Sequence, residues 1–144
     1  MVYRQRDGTL EVLLVHPGGP FWQQRDDGVW SVPKGEFAED EVGIDVARRE
    51  FQEELGTAPP DGAPRPLGEV RQKGGKIVSA WALMGDLDAT RTTSNTFEIE
   101  WPPRSGKIQT FPEVDRAAWF DAATARRKLL PAQSAFIDRL EALL

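Results

Sequence analysis

Short apolar runs separated by turn residues recur along the chain and predict strands. Residues 10–16, LEVLLVH, form the longest such run and predict a buried strand that ends at PGGP. Residues 28–32, GVWSV, predict a shorter strand. Residues 67–84 predict a hairpin, because two apolar stretches flank the turn residues Gly74 and Gly75. Together these runs indicate a sheet.

Helical spacing of apolar positions appears in two regions. Residues 44–55 predict a helix, and from about Asp121 the pattern is helical again, with Pro131 either breaking it or starting a second piece. Further strands are predicted at 95–101 and 117–120. Mixed strands with two helical regions predict an α+β or α/β sandwich.

The opening residues, MVYRQRDG, run almost at once into the turn-like RDG. An opening strand that begins before Met1 would be natural at this point. We therefore expect little of such a strand to be present.

Length and composition fit one globular domain over residues 1–144, with 40% hydrophobic and 28% charged residues. The chain has no cysteine, which excludes disulfides and thiolate metal sites. Apolar runs are too short for a membrane span, and no signal segment opens the chain, so we expect a cytoplasmic protein without a membrane partner. A net charge of −5 disfavours nucleic-acid binding. It is compatible with a phosphate compound if a metal supplies positive charge.

Three glutamates crowd into the end of the helix predicted at 44–55. At about 100° per residue, Glu50, Glu53 and Glu54 share an arc of roughly 100° beside the apolar face. On a solvated helix such like charges cost only about 0.2–0.5 kcal/mol, so an acidic surface is one interpretation. In a partly buried cluster, two carboxylates about 5 Å apart repel by roughly 3 kcal/mol at an effective dielectric near 20. Such a cluster needs a cation, and oxygen ligands suit Mg²⁺ or Mn²⁺.

A fixed spacing surrounds this cluster. Residues 35–57 read GEFAEDEVGIDVARREFQEELGT, in which five residues separate the first Gly from a Glu and seven more lead to Arg-Glu. This pattern resembles the signature of the Nudix hydrolases, which include MutT-like proteins, at every polar and glycine position. The one departure is Thr57, where the family signature has an aliphatic residue. The matching positions are Gly35, Glu41, Arg49, Glu50, Glu53, Glu54 and Gly56.

The resemblance implies an α/β/α sandwich with a mixed sheet, one catalytic helix and a C-terminal helix. It also implies metal-dependent hydrolysis of a pyrophosphate bond in a nucleoside diphosphate-linked or polyphosphate compound. The implied cofactor is Mg²⁺ or Mn²⁺, which can bridge phosphoryl oxygens and activate water. The implied partner is a small-molecule nucleotide, and the sequence does not indicate an oligomeric state.

The same resemblance assigns roles within the motif. Glu53 and Glu54 become the strongest candidates for metal ligands, and Glu50 becomes a ligand or the general base. Arg49 and Glu41 would hold the loop and orient the carboxylates. The complete set of implied ligands is the Gly35 carbonyl, Glu50, Glu53 and Glu54.

The general base remains open, because this family draws it from different places. Glu50 is one candidate within the motif. Glu98 and Glu100 alternate with apolar residues in FEIEW, and Glu113 precedes the last predicted strand. Surface charge is the simpler interpretation of each outer glutamate. We select Glu113, because related hydrolases often carry a glutamate in that segment.

Substrate-binding candidates lie in the predicted loops. Lys34 belongs to WSVPKG, which resembles the entry to the motif in diadenosine polyphosphate hydrolases. Lys76 and Arg104 could receive a long phosphate chain, although exposed loops commonly carry such residues. Trp22 is the tryptophan that we expect to be exposed and able to stack on a base. The single histidine, His16, is expected to be structural.

These features favour a pyrophosphohydrolase that acts on a nucleotide with several phosphates, such as a diadenosine polyphosphate. A house-cleaning nucleoside triphosphate pyrophosphohydrolase is the alternative within the enzyme class. A nucleotide-binding module without turnover is disfavoured, because binding-only relatives typically lose some of the motif glutamates. A purely structural acidic helix is disfavoured by the complete spacing.

Overall fold

A computed structural model of the chain describes residues 1–33 and 43–144. Seven strands and three helices lie within these residues. The strands are β1 Val2–Arg6, β2 Thr9–Pro17, β3 Arg65–Arg71, β4 Ile77–Met84, β5 Thr96–Glu100, β6 Ile108–Pro112 and β7 Val114–Asp121. The helices are α1 Gly43–Leu55, α2 Ala122–Lys128 and α3 Ser134–Leu143.

Five strands form a mixed sheet in the order β3-β4-β1-β2-β7. β1 and β4 are parallel, whereas the other neighbouring pairs are antiparallel. The hairpin predicted at 67–84 is confirmed as β3 and β4, and both turn glycines, Gly74 and Gly75, have positive φ. The mixed sheet expected from the sequence is therefore present.

The expectation that little of an opening strand is present was wrong. β1 occupies five residues and pairs with both β2 and β4. Asp7 and Gly8 form the β1–β2 turn with φ of 52° and 78°, as a two-residue hairpin connection requires. The sequence of β1 shows no clear alternation of apolar and polar residues, because Arg4 and Arg6 lie in the polar second half of this short strand.

Side chains of β2 alternate between two hydrophobic cores. Val12 and Leu14 belong to the larger core, which packs against α2 and α3, whereas Leu13 and Val15 belong to the smaller core beneath α1. Since both faces of the central strand are covered, its sequence is a continuous apolar run rather than an alternating one. The α/β/α sandwich is confirmed, with α1 on one face and the C-terminal helices on the other.

Residues 28–32 do not form the strand that was predicted there. Ser31 bridges to Val15 on one side, while Trp30 bridges to Leu129 on the other. The Trp30 N–H donates to the Lys128 carbonyl at 3.0 Å. Because successive residues pair with different partners, the segment is extended but forms no ladder.

β5 and β6 form a separate hairpin beside the main sheet. β5 was predicted, but β6 was missed, because IQTFP carries little apolar alternation. Phe97 of β5 lies against Gly19, where an added Cβ would stand 2.8 Å from the ring and φ is 100°. Phe21 contacts Trp101 edge-to-face at 5.1 Å between ring centroids. This hairpin therefore packs against the loop that follows β2.

Pro131 starts a 3₁₀ turn that separates α2 from α3, so it both ends one helical piece and begins the next. Phe136, Ile137 and Leu140 of α3 are fully buried in the larger core. In the described ranges, 1–33 and 43–144, none of the helices combines the length and hydropathy that crossing a bilayer requires.

Candidate active site

α1 presents its glutamates at the edge of the smaller core. Val46, Phe51 and Leu55 are buried against the sheet. Glu50, Glu53 and Glu54 are each only partly exposed, which excludes a fully solvated acidic face. Like charges on a partly shielded turn repel each other more strongly than they would in bulk water.

The end of α1 is attached to the segment that precedes β7. The Asn95 N–H donates to the Glu53 carbonyl at 2.8 Å, and the Asn95 carbonyl accepts from the Glu113 N–H at 2.8 Å. The Ser94 hydroxyl accepts from the Val114 N–H at 3.0 Å. Two backbone hydrogen bonds through Asn95 thus connect Glu53 of α1 to Glu113, although these two glutamates are 60 positions apart in the chain.

Gly56 allows α1 to end against this connection. Its φ is 72°, and an added Cβ would overlap the Thr93 hydroxyl. The Gly56 N–H donates to the Gln52 carbonyl at 2.8 Å, and the Thr93 N–H donates to the Leu55 carbonyl at 3.1 Å. A glycine is needed here for both the left-handed backbone and the close approach.

A cavity of about 220 Å³ opens beside the end of α1. Glu54 and Glu113 line one part of it, and Trp22 lines another. The Oε2 atom of Glu54 is shielded from solvent. The cavity thus combines carboxylates with an aromatic wall. Its other described lining residues are Val15, Pro17, Val29, Ser31, Val114 and Leu130.

Electrostatic coupling joins three of the candidate glutamates. Burial raises the pKa of Glu50, and the negative charges of Glu53 and Glu113 raise this pKa further, while Arg49 opposes the shift. The Arg49 Nε atom lies 4.0 Å from Glu53 Oε1, one turn along the helix. Glu113 therefore belongs to the same electrostatic cluster as Glu50 and Glu53, and its role as a base stays a prediction.

The donor chemistry of this cluster fits a divalent cation. Glu50, Glu53, Glu54 and Glu113 supply only carboxylate oxygens, which suit a hard ion such as Mg²⁺ or Mn²⁺. In the part of the chain that the structure describes, no three acidic or histidine side chains are already gathered tightly enough to share an ion. These residues therefore fit a divalent cation in donor type and charge. To coordinate one ion together, their side chains would have to move closer to each other.

Several predicted site residues are placed away from this cavity or outside the described ranges. Lys34, Gly35 and Glu41 lie in residues 34–42, which are outside the described residues. Lys76 and Arg104 are exposed in the turns of the two hairpins and are not among the described residues that line the cavity. Their proposed substrate contacts stay predictions.

Trp22 is half-buried rather than exposed, because part of its ring packs against the larger core. It also lines the cavity, so its partial burial is compatible with stacking on a base.

Two residues of the site, Asn95 and Ser31, were not predicted from the sequence. Asn95 makes its contacts through backbone atoms, so its residue type gives no indication of this role. Ser31 lies in a segment that was predicted to be an ordinary strand.

Comparisons with known proteins agree with this architecture. The model of the NUDIX domain family matches residues 1–140. An Ap4A hydrolase from C. elegans, in a binary complex, superposes with a TM-score of 0.65 at 19% identity, covering 99% of this chain and 92% of that one. The NUDIX domain of Shewanella oneidensis NrtR, complexed with ADP ribose, gives a TM-score of 0.62 at 19% identity, with 99% and 84% covered.

A mutT/nudix family protein from Listeria innocua gives a TM-score of 0.60 at 18% identity, covering 99% of this chain and 88% of that one. A search of curated protein sequences finds no match. The solved structures agree in fold, and the family match extends over nearly the whole chain. This chain is therefore a member of the Nudix family of pyrophosphohydrolases.

Proposed function

We propose that this enzyme hydrolyses a pyrophosphate bond in a nucleotide that carries several phosphates, such as a diadenosine polyphosphate. The observation that carries the proposal is the cavity at the end of α1, where Glu54 and Glu113 meet the Trp22 wall. A base stacked on Trp22 would place its phosphates toward the carboxylates, where a cation can neutralise them. We further propose that residues 1–144 act as one domain.

The proposed roles are those that the family resemblance implies for the motif residues. Glu53 and Glu54, with Glu50, would hold Mg²⁺ or Mn²⁺, together with the Gly35 carbonyl that the family resemblance implies. The bound ion would stabilise charge on phosphoryl oxygens and lower the pKa of water. Glu113, which lines the cavity, and Glu50 within the motif are the two candidates for the base that takes the proton of the attacking water. Arg49 would orient Glu53.

Dinucleoside polyphosphates are expected to be cleaved with a higher kcat/KM than ADP-ribose or NADH. The support is the basic residue Lys34, which directly follows buried Pro33, and the fold shared with an Ap4A hydrolase. Lys34→Ala should raise KM for diadenosine tetraphosphate several-fold and affect ADP-ribose less, because the longer chain offers more charge to the ammonium group. Steady-state phosphate release with both compounds measures this difference.

Arg91→Ala provides a matched control, since this arginine is 86% exposed in a 3₁₀ turn that the cavity does not include. It should leave both substrates unchanged. A clear preference of the parent enzyme for ADP-ribose would contradict the proposed substrate class. A preference for nucleoside triphosphates would instead favour the house-cleaning alternative, and nucleotide binding without turnover would favour a binding module.

Addition of Mg²⁺ or Mn²⁺ is expected to raise the melting temperature, since an ion that binds only the folded state stabilises it by mass action. At 100 times its Kd, the ion contributes about 2.7 kcal/mol. The double variant Glu53→Gln plus Glu54→Gln should lose this response. Differential scanning fluorimetry with and without each metal measures it, and an undiminished shift in the double variant would exclude α1 as the metal site.

A further inference from the structure

His16 is a fully buried polar side chain at the end of β2. Its Nε2 atom lies 2.6 Å from the Arg25 carbonyl oxygen, and its Nδ1 atom lies 2.8 Å from Asp115 Oδ1. The ring also packs edge-to-face against Trp30 at 5.1 Å between centroids. Both ring nitrogens are therefore engaged, and the two partners belong to different segments of the chain.

The direction of one of these hydrogen bonds follows from its partner. A carbonyl oxygen can only accept, so Nε2 carries hydrogen and donates to the Arg25 carbonyl. Nδ1 then faces the Asp115 carboxyl group across a second short contact. A buried imidazole that loses either partner is left with an unsatisfied nitrogen, which is costly in the interior. The geometry thus holds both segments at fixed distances from His16.

One of these segments carries Trp22. The Arg25 N–H donates to the Trp22 carbonyl at 2.9 Å, and the Trp22 N–H donates to the Gly19 carbonyl at 3.2 Å. The Arg25 guanidinium lies 5.4 Å from the centroid of the Trp22 ring. The turn that presents Trp22 to the cavity is therefore closed at Arg25, the residue that His16 binds.

The other segment carries Glu113. Asp115 lies two positions after Glu113, and the Glu113 carbonyl accepts from the Gly18 N–H at 2.9 Å. His16 precedes Gly18 by two positions. The histidine thus stands behind the cavity, between the segment that supplies its aromatic wall and the segment that supplies one of its carboxylates.

We propose that His16 is a positioning residue that sets the distance between Trp22 and Glu113 across the substrate cavity. This inference depends on the proposed function, because it requires a nucleotide in that cavity. Loss of the Arg25 bond frees the Trp22 turn while α1 and its carboxylates keep their places. The expected consequence is weaker nucleotide binding with little change in the chemical step, since the interaction with Trp22 is made before and during the reaction.

Two substitutions separate the two contacts of the ring. Asparagine places its polar atoms near Nδ1, whereas glutamine reaches the position of Nε2. His16→Asn should therefore raise KM by about 5–10-fold, the equivalent of one hydrogen bond, and change kcat by less than about threefold. His16→Gln, which can still donate to the Arg25 carbonyl, should stay within about threefold of the parent KM.

A double-mutant cycle with Trp22→Ala distinguishes positioning from general structural support. If His16 acts through Trp22, His16→Asn should change KM by less than about twofold once Trp22 is alanine. Independent effects that multiply would overturn the proposal. Ile137→Val is the matched control, because Ile137 is fully buried in α3 and is not among the described residues that line the cavity, so this variant loses stability while its KM should equal that of the parent.

Asp115→Asn extends the test should the His16 variants fail to fold, since the Asp115 side chain is 28% exposed and tolerates change more readily. It should raise KM about threefold, and again only when Trp22 is present. Calorimetric titration with AMP in EDTA repeats the cycle without turnover. An enzyme that binds AMP but cleaves no nucleotide refutes the proposed function alone, whereas absence of AMP binding, or an uncoupled cycle, refutes the role of His16.

Discussion

Replacing Glu53 with glutamine is expected to lower turnover by about 10²–10³-fold at saturating Mg²⁺. A direct metal ligand stabilises charge that develops in the transition state, and one such electrostatic contribution is worth roughly 3–4 kcal/mol. Arg49→Gln should cost only about 10–100-fold, because the role proposed for Arg49 is to orient Glu53, whose Oε1 lies 4.0 Å from the Arg49 Nε. Single-turnover rates of both variants, at metal concentrations that saturate each, measure this order.

The same Glu53 variant should not unfold the protein. After burial, the negative charge of Glu53 is the next cause that raises the pKa of Glu50, as expected of neighbouring carboxylates that repel each other. Removing one charge relieves this repulsion, so melts in EDTA should match or exceed those of the parent. Glu69→Gln is the matched control, since Glu69 is exposed on β3. Near-normal turnover of Glu53→Gln, or a much lower melting temperature in EDTA, would identify Glu53 as structural.

Phe136→Ala is expected to destabilise the protein by about 3–5 kcal/mol, the largest loss of stability that we predict for a single substitution. The Phe136 side chain is 0% exposed and packs where α3 meets the larger core. At about 2.1 cal/mol/K per residue over 144 residues, the melting temperature should fall by roughly 10–17 °C. Thermal and urea unfolding, monitored by circular dichroism, give the two values.

Phe21→Ala removes the same atoms from a ring that is 57% exposed and therefore serves as its control. It should cost no more than about 1.5 kcal/mol, mainly through the lost edge-to-face contact with Trp101. Equal losses in the two variants would mean that burial does not determine the contribution of α3 to stability.

The elements that local pattern determines were predictable from the sequence. β2 is a continuous apolar run bounded by turn residues, α1 carries apolar residues at helical spacing, and the acidic cluster follows from helix geometry alone. β6 was missed because its pairing with β5, rather than its own composition, makes it a strand. The strand predicted around Trp30 and Ser31 was wrong, because an apolar run does not reveal that these two neighbours bridge to different partners.

The candidate site likewise has a part that the sequence predicts and a part that it does not. The fixed spacing of the motif made Glu50 and Glu53 candidates, and the resemblance made Glu113 another, whose charge raises the pKa of Glu50 in the folded chain. The cavity wall was not predictable, since Val29 and Leu130 come together only through tertiary packing. For Lys76, the sequence predicts a basic residue in a loop. It does not predict how far that residue lies from a bound substrate.

The backbone connection at Asn95 has a consequence for how the family can vary. Residue 95 links Glu53 to Glu113 through its own N–H and carbonyl groups, so almost any amino acid can serve there. Proline is the exception, because it lacks the donor. The connection can therefore be kept while the amino acid at position 95 changes. We therefore expect position 95 to accept many residue types wherever a backbone N–H and carbonyl hold the helix and the outer glutamate together in this way.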